Sequence, residues 1–460
     1  MKLNQIALAV ITLAAGSASA VNLNAGLTIN LDGATALKKS VEDVAKYMCA
    51  AHTGDVYYEG SDKKISGVFC STGMDASSGL TGTNSTLKVF LTKNNADGSL
   101  ETFSRALMQT EQTKVLDPTN CDTVAKTCAT KLVNAHGGFS DVDERVAEAR
   151  GDFIPSAVVG SYTIKRNFAG QGFGVAVTDK LYKALQVQQG LNLIAGCTVA
   201  PGLTTDACTP SLTKQQFTSI LSTTGGYKAD WSPILPAVAG SDTKTINLCR
   251  RVTTSGTQSS MDIYFLDTPC AKASPTFGAL DSVRALDYPA DGSNGMAVIE
   301  NGGTSDVINC LSRRDDNVND TAFTKGVTNA DGGAEDEYAI GVISLENLDG
   351  KAGTEGVAGN WHFVKLDGVN PREDADQRKS VVEGRYNFAF EAVMAYRNDS
   401  PTLAKTYMGK MTDLMKDPVK VSPLPGIFVV PGVSLNSAFP TRVHRGTQGG
   451  NSCQVFELTE

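Results

Sequence analysis

Four times along this 460-residue chain an apolar, strand-like run stops at small or hydroxyl-bearing residues and gives way to a stretch with helical spacing. Residues 23–31 alternate like a strand and end at Asp32 and Gly33; Leu37, Val41, Val44, Ala45 and Met48 then share one helical face. Residues 88–92 form a short apolar run, and Gly98 and Ser99 precede a helix-like stretch over 100–108. Gly137, Gly138, Phe139, Ser140 and Asp141 lead into a charged helical run that ends at Arg150. Residues 244–249 alternate once more, and Arg250, Arg251, Ser255, Gly256 and Thr257 precede a helix-like run to Leu266. Each corner alone is punctuation, since Ser or Thr before a helix is ordinarily an N-cap. Repeated strand–corner–helix units predict an α/β fold with doubly wound sheets, whose ligands bind beyond the carboxyl ends of the strands.

The fourth corner carries the most chemistry. A helix that opens on Ser-Gly-Thr presents free backbone N–H groups and two hydroxyls at the positive end of its dipole. An arginine just upstream can add a bidentate clamp on the same oxygens. Arg250 and Arg251 are neighbours on a strand and must point to opposite sides, so only one of them can face such a site.

Length exceeds what one core usually supports, so two domains are expected. The formal net charge is −8, which excludes the broad basic surface that nucleic acid requires but permits a local anion site. Met1 and Lys2, an apolar run over 6–15 and the Ala18-Ser19-Ala20 motif read as a secretory signal peptide over residues 1–20. With Val21 rather than cysteine at the expected mature start, no lipid anchor is expected. No later run is long enough for a membrane helix.

Ten cysteines suit a periplasmic or secreted protein: Cys49, Cys70, Cys121, Cys128, Cys197, Cys208, Cys249, Cys270, Cys310 and Cys453. Neighbour spacing predicts pairs 49–70, 121–128 and 197–208, with the remainder expected as 249–270 and 310–453. Metal ligation fails on spacing, because there is no C-x-x-C and the four histidines form no ligand pattern. Residues 308–337 read as an acidic loop. Asp315, Asn317 and Asn319 have the rhythm of a calcium loop, but Asp320 and Gly326 stand where its glycine and glutamate belong.

In order and spacing the four corners resemble those of the bacterial periplasmic phosphate-binding proteins, class II solute-binding proteins of phosphate ABC uptake. The matching residues are Asp32-Gly33-Ala34-Thr35-Ala36, Asp97-Gly98-Ser99, Phe139-Ser140-Asp141, and Arg250-Arg251 through Ser255-Gly256-Thr257, and they span about residues 27–396 together with Gly341. The resemblance implies a two-lobed type II binding-protein fold, each lobe a sheet flanked by helices, with the ligand cleft between them. It implies lobe I from 21–165 plus 345–460 and lobe II from 166–344. Ala34, Thr35, Ser99, Ser140, Asp141, Arg250, Arg251, Ser255, Gly256 and Thr257 would surround phosphate or a related oxyanion. Asp141 would accept a hydrogen bond from a protonated phosphate. No cofactor is implied, and a monomer working with an ABC permease would be the arrangement.

The chain departs from that pattern at its first corner, at Leu100 after Ser99, in its length and in its cysteines. Two other classes therefore stand beside it. One is a secreted surface or matrix protein that keeps the fold with an adapted cleft. The other is a phosphoester hydrolase using Ser140 or Ser255, although no G-x-S-x-G is present and no histidine has a recognisable relation to either serine.

Overall fold

The strand Leu27–Gly33 runs parallel to Val89–Asn94 on one side and to Gly137–Ser140 on the other. All three are flanked and buried, as central parallel strands must be. Their carboxyl ends, Gly33, Asn94 and Ser140, thus share one edge of the sheet. Around them a nine-stranded sheet runs in the order Thr113–Asp122, Thr127–Val133, Asp55–Tyr58, Ile65–Cys70, Val89–Asn94, Leu27–Gly33, Gly137–Ser140, Val393–Arg397 and Tyr162–Lys165. The helix Lys38–Met48 lays Val41, Val44, Ala45 and Met48 on this sheet. Tyr407, Met408, Met411 and Met415 of helix Thr402–Lys416 complete the same core.

The structure, a computed structural model, describes residues 20–61, 63–95, 98–223, 230–270, 280–289, 294–316, 338–351, 359–372, 379–417, 427–428, 443–445 and 452–458. Residues 1–19 of the expected signal peptide, Asp97, and Asn317, Asn319, Asp320 and Gly326 of the calcium-like rhythm lie outside them. No described helix is long and apolar enough to cross a membrane.

The second sheet repeats the logic. Ile246–Arg251 runs parallel to Met296–Asn301 and to Ala339–Ser344, while Gly170–Thr178 pairs antiparallel with the last of these. Trp361–Phe363, Ala389–Glu391 and Ile427–Phe428 also hydrogen-bond to Gly170–Thr178, whereas Val393–Arg397 belongs to the first sheet. Helix Gly256–Leu266 is buried along all eleven residues. Such burial fits a helix wedged between two bodies of the molecule rather than one lying on a surface. The result is an α/β fold of two lobes, each built on a sheet flanked by helices.

Two expectations need correction. Residues 304–316 form a helix where a loop was expected from 308. Val307, Ile308, Cys310 and Leu311 supply its buried stripe, and the Gly303 N–H donates to Asp306 Oδ2 at 2.8 Å near its start. Asp315 belongs to that helix, and its Oδ1 accepts the Lys180 N–H at 2.8 Å.

The disulfides 49–70, 121–128 and 197–208 form as expected, but the others are Cys249–Cys310 and Cys270–Cys453. Cys249 faces the helix that crosses behind its strand, with Cα atoms 6.0 Å apart. Cys270 lies beyond an eleven-residue helix, which by its rise alone carries the chain about 16 Å away. Replacing Cys249 and Cys310 together by alanine opens a 61-residue loop and should lower unfolding free energy by about 4 kcal/mol. Urea midpoints of the two proteins measure the loss.

Candidate functional site

The three corners of the first lobe converge at the shared strand edge. Gly33 has a φ of +104°, and a Cβ there would lie 2.0 Å from Phe139 O. Only glycine lets the first corner lie this close to the third. The Ala34 N–H donates to Phe139 O at 2.8 Å, so it is committed to the fold. Thr35 Oγ1 donates to Asn95 O at 2.6 Å. Ser99 Oγ donates to Asp141 Oδ2 at 3.0 Å. Asp141 is 1% exposed, and its Oδ1 has no hydrogen-bond partner. The neighbouring Ser140 is buried, its Oγ accepting from the Val142 N–H at 3.3 Å.

A carboxylate before a helix is usually its cap. Here the cap of helix Glu144–Arg150 is Asp143, whose Oδ1 accepts from the N–H groups of Arg145 and Val146 at 2.9 and 3.3 Å. Asp141 is left over for other work.

From the second lobe, Arg251 reaches the same point. Its Nη2 donates to Gly302 O at 2.7 Å and to Thr35 Oγ1 across the crevice at 3.3 Å, and Nη1 donates to Thr304 Oγ1 at 3.4 Å. Its Nε is buried without a partner. Arg250 does not join it: Nε donates to Arg251 O, and Nη1 to Ser282 Oγ and Val283 O inside the second lobe. Helix Gly256–Leu266 starts beside Arg251 with no side-chain cap from Ser255, and the Thr257 hydroxyl is buried without a partner. Its first N–H groups therefore depend on acceptors outside the helix.

The two lobes meet at these corners. The Leu100 N–H donates to Thr254 O at 3.0 Å, and Arg150 Nη2 donates to Thr253 O at 2.8 Å. Lys64 Nζ pairs with Asp306 Oδ2 at 3.2 Å. Ser452, beside the Cys270–Cys453 bridge, donates its N–H to Asp143 Oδ2 and accepts the Asp143 N–H.

Burial lifts the Asp141 carboxyl to about 6, opposed by the Ser99 hydrogen bond and the charges of Arg251 and Lys93. Burial likewise lowers Arg251 to about 10, opposed by Asp141 and Asp306. Both charges are nonetheless present near neutral pH. The arrangement can offer a small anion the Arg251 Nε–H, the Thr257 hydroxyl and the start of the Gly256 helix. Next to these stand Thr35 and Ser99, whose hydroxyl protons go to Asn95 and Asp141, and the bare Asp141 oxygen demands a donor from the ligand.

The reading of the sequence brought forward Thr35, Ser99, Asp141, Arg251, Ser255, Gly256 and Thr257, and these residues do lie together. It missed Lys93, Arg150, Lys64 and Asp306. A lysine closing an apolar strand just before a corner is a signal that could have found Lys93. Among the described residues no histidine hydrogen-bonds to Ser140 or Ser255; His136 Nδ1 accepts the Asn30 N–H.

No family model and no curated protein matches the sequence. Solved structures resemble it only distantly. A Clostridium perfringens phosphate ABC transporter substrate-binding protein with bound phosphate shares 12% identity, over 84% of this chain and 92% of its own, at a TM-score of 0.40. A Vibrio cholerae ABC-type phosphate transport receptor shares 10%, over 84% and 93%, at 0.36. A DING protein shares 14%, over 90% and 96%, at 0.38.

Proposed function

We propose that this protein is an extracytoplasmic solute-binding protein, without enzymatic activity, that captures phosphate or a closely related oxyanion between its lobes. The observation that supports this most is the buried, partnerless Asp141 Oδ1 facing Arg251 and the uncapped Gly256 helix. An ionised carboxylate repels a fully deprotonated anion but accepts a hydrogen bond from one that carries a proton, such as hydrogen phosphate. Five disulfides fit a periplasmic or secreted setting. An ABC permease is the partner this reading names, with a monomer as the working unit.

Calorimetric titration of the purified protein with phosphate, sulfate and a phosphonate tests it. Phosphate should bind and sulfate should bind at least tenfold more weakly; Asp141→Asn should narrow that gap. The same variant has a stability signature. A carboxyl raised from 3.8 to about 6 in the fold costs nothing below the lower value and its full penalty, roughly 3 kcal/mol at most, above the higher one. Measured against Asp141→Asn, the unliganded wild type should therefore lose stability as pH rises from about 4 to about 6.

A second reading, a secreted surface or matrix protein with an idle cleft, is favoured by one observation. Arg251 already satisfies Gly302, Thr304 and Thr35, and the Leu100 N–H is spent on Thr254. Failure to bind any of the three anions would select it.

A further inference from the structure

Lys93 is 2% exposed and stands on the strand that leads to Ser99. Its Nζ donates to Gly33 O at 2.9 Å, to Ala34 O at 2.8 Å and to Asn95 Oδ1. All three acceptors are neutral. They also belong to the residues that shape the first corner, because Thr35 follows Ala34 and bonds to Asn95 O. An ammonium held in the interior without an ion pair is a costly arrangement, one that a neutral side chain of similar length would avoid.

We infer that Lys93 is a specificity-determining residue of the crevice, which fixes the Thr35 corner and supplies the second positive charge that lets a site containing Asp141 accept a doubly charged oxyanion. The inference rests on the anion-binding reading above and deepens it.

The charges around Lys93 leave this role open to it. Asp32, from the first strand, is answered by Arg105 at 3.6 Å and by the Thr113 hydroxyl. Lys38 and Glu42, from the first helix, act on Lys93 with opposite signs. Asp141 remains, and with Arg251 and Lys93 it gives the crevice one net positive charge; without Lys93 the net charge is zero. Glu346, lifted to about 8 by burial, stays largely protonated at neutral pH and ionises over the same alkaline range as Lys93, in the wild type and in Lys93→Met alike. Burial also lowers the Lys93 ammonium to about 8, against the pull of Asp32 and Asp141. An anion binds the protonated form better, so affinity should fall as pH rises past that value, by up to tenfold per pH unit. Phosphate is already a dianion there, and Arg251, at about 10, is still charged.

The experiment is titration with inorganic phosphate from pH 7 to 9.5 for the full-length wild type, Lys93→Met and Arg251→Ala, with thermal unfolding alongside. The expected result is at least tenfold weaker phosphate binding by Lys93→Met at pH 7, and a wild-type decline above pH 8 that is steeper than the variant's, where Glu346 alone ionises. A folded Lys93→Met that binds within twofold of wild type with the same pH profile overturns the inference and leaves the anion site standing. A wild-type affinity flat between pH 8 and 9.5 overturns it too, and decides the matter even if the variant does not fold. No phosphate binding by the wild type at any pH removes the site itself, and this inference with it.

Discussion

Gly256→Ala is expected to weaken oxyanion binding about 100-fold or more while leaving the lobes individually folded. A Cβ at this position would lie 2.4 Å from Ser99 Oγ, 2.7 Å from Ser99 Cβ and 2.8 Å from Asp141 Cβ. A hydroxyl can rotate aside; two Cβ atoms fixed to the first lobe's backbone cannot. The lobes must therefore separate, and the Leu100–Thr254, Arg251–Thr35 and Arg150–Thr253 hydrogen bonds go with them. Gly256 is the first residue of its helix, where alanine is otherwise the better helix former, so the second lobe gives no independent reason for damage. A 100-fold loss corresponds to about 2.8 kcal/mol, the scale of two or three lost interlobe hydrogen bonds. Phosphate titration reads the affinity, and small-angle scattering reads the separation of the lobes. Wild-type affinity with an unchanged radius of gyration would mean that the helix and the Ser99–Asp141 pair need not touch for binding.

The course of the chain was legible wherever a local signal repeated. Apolar runs leading to the corners at Gly33, Ser99, Ser140 and Arg251 marked the parallel strands, because strands buried on both faces and the helices after them leave distinct spacings in the sequence. Short cysteine loops were legible for the same reason. What stayed hidden depends on distant partners. Cys249 chose Cys310 over Cys270 because a crossing helix brought the former close, and neighbour spacing carries no trace of that. The 304–316 helix hid behind its polar residues, since Asn309, Ser312, Arg314 and Asp315 are buried in it although they read as a solvated loop. Lys93 hid because a lysine in a strand is normally an edge or surface residue. The two adjacent arginines could be separated in principle but not assigned: alternation says that they diverge, and only the fold says which way.

That divergence yields two variants that differ in binding. Arg250→Ala should cost about 3–5 kcal/mol of stability, because it removes a fully buried guanidinium and leaves Asp262 and the carbonyl of Val283 short of a partner. The Asp262 carboxyl, already raised by burial and held down foremost by Arg250, would then keep Arg150 at 3.8 Å, the Gln258 amide and the Ser282 hydroxyl. Binding measured well below the unfolding temperature should be nearly intact, since no atom of Arg250 faces Thr35 or Asp141. Arg251→Ala should cost stability as well, since Arg251 is as buried as Arg250 and its loss leaves Asp141 without its positive neighbour. What sets it apart is binding: it removes the guanidinium that spans the crevice, so phosphate affinity should fall at least about 100-fold. Without that charge the Asp141 carboxyl rises further above 6, so the residual stability of Arg251→Ala should depend on pH over a higher range than wild type. Denaturation curves and phosphate titrations on the two variants separate the roles. If Arg250→Ala loses binding at full stability, the crevice has been assigned to the wrong face of the strand.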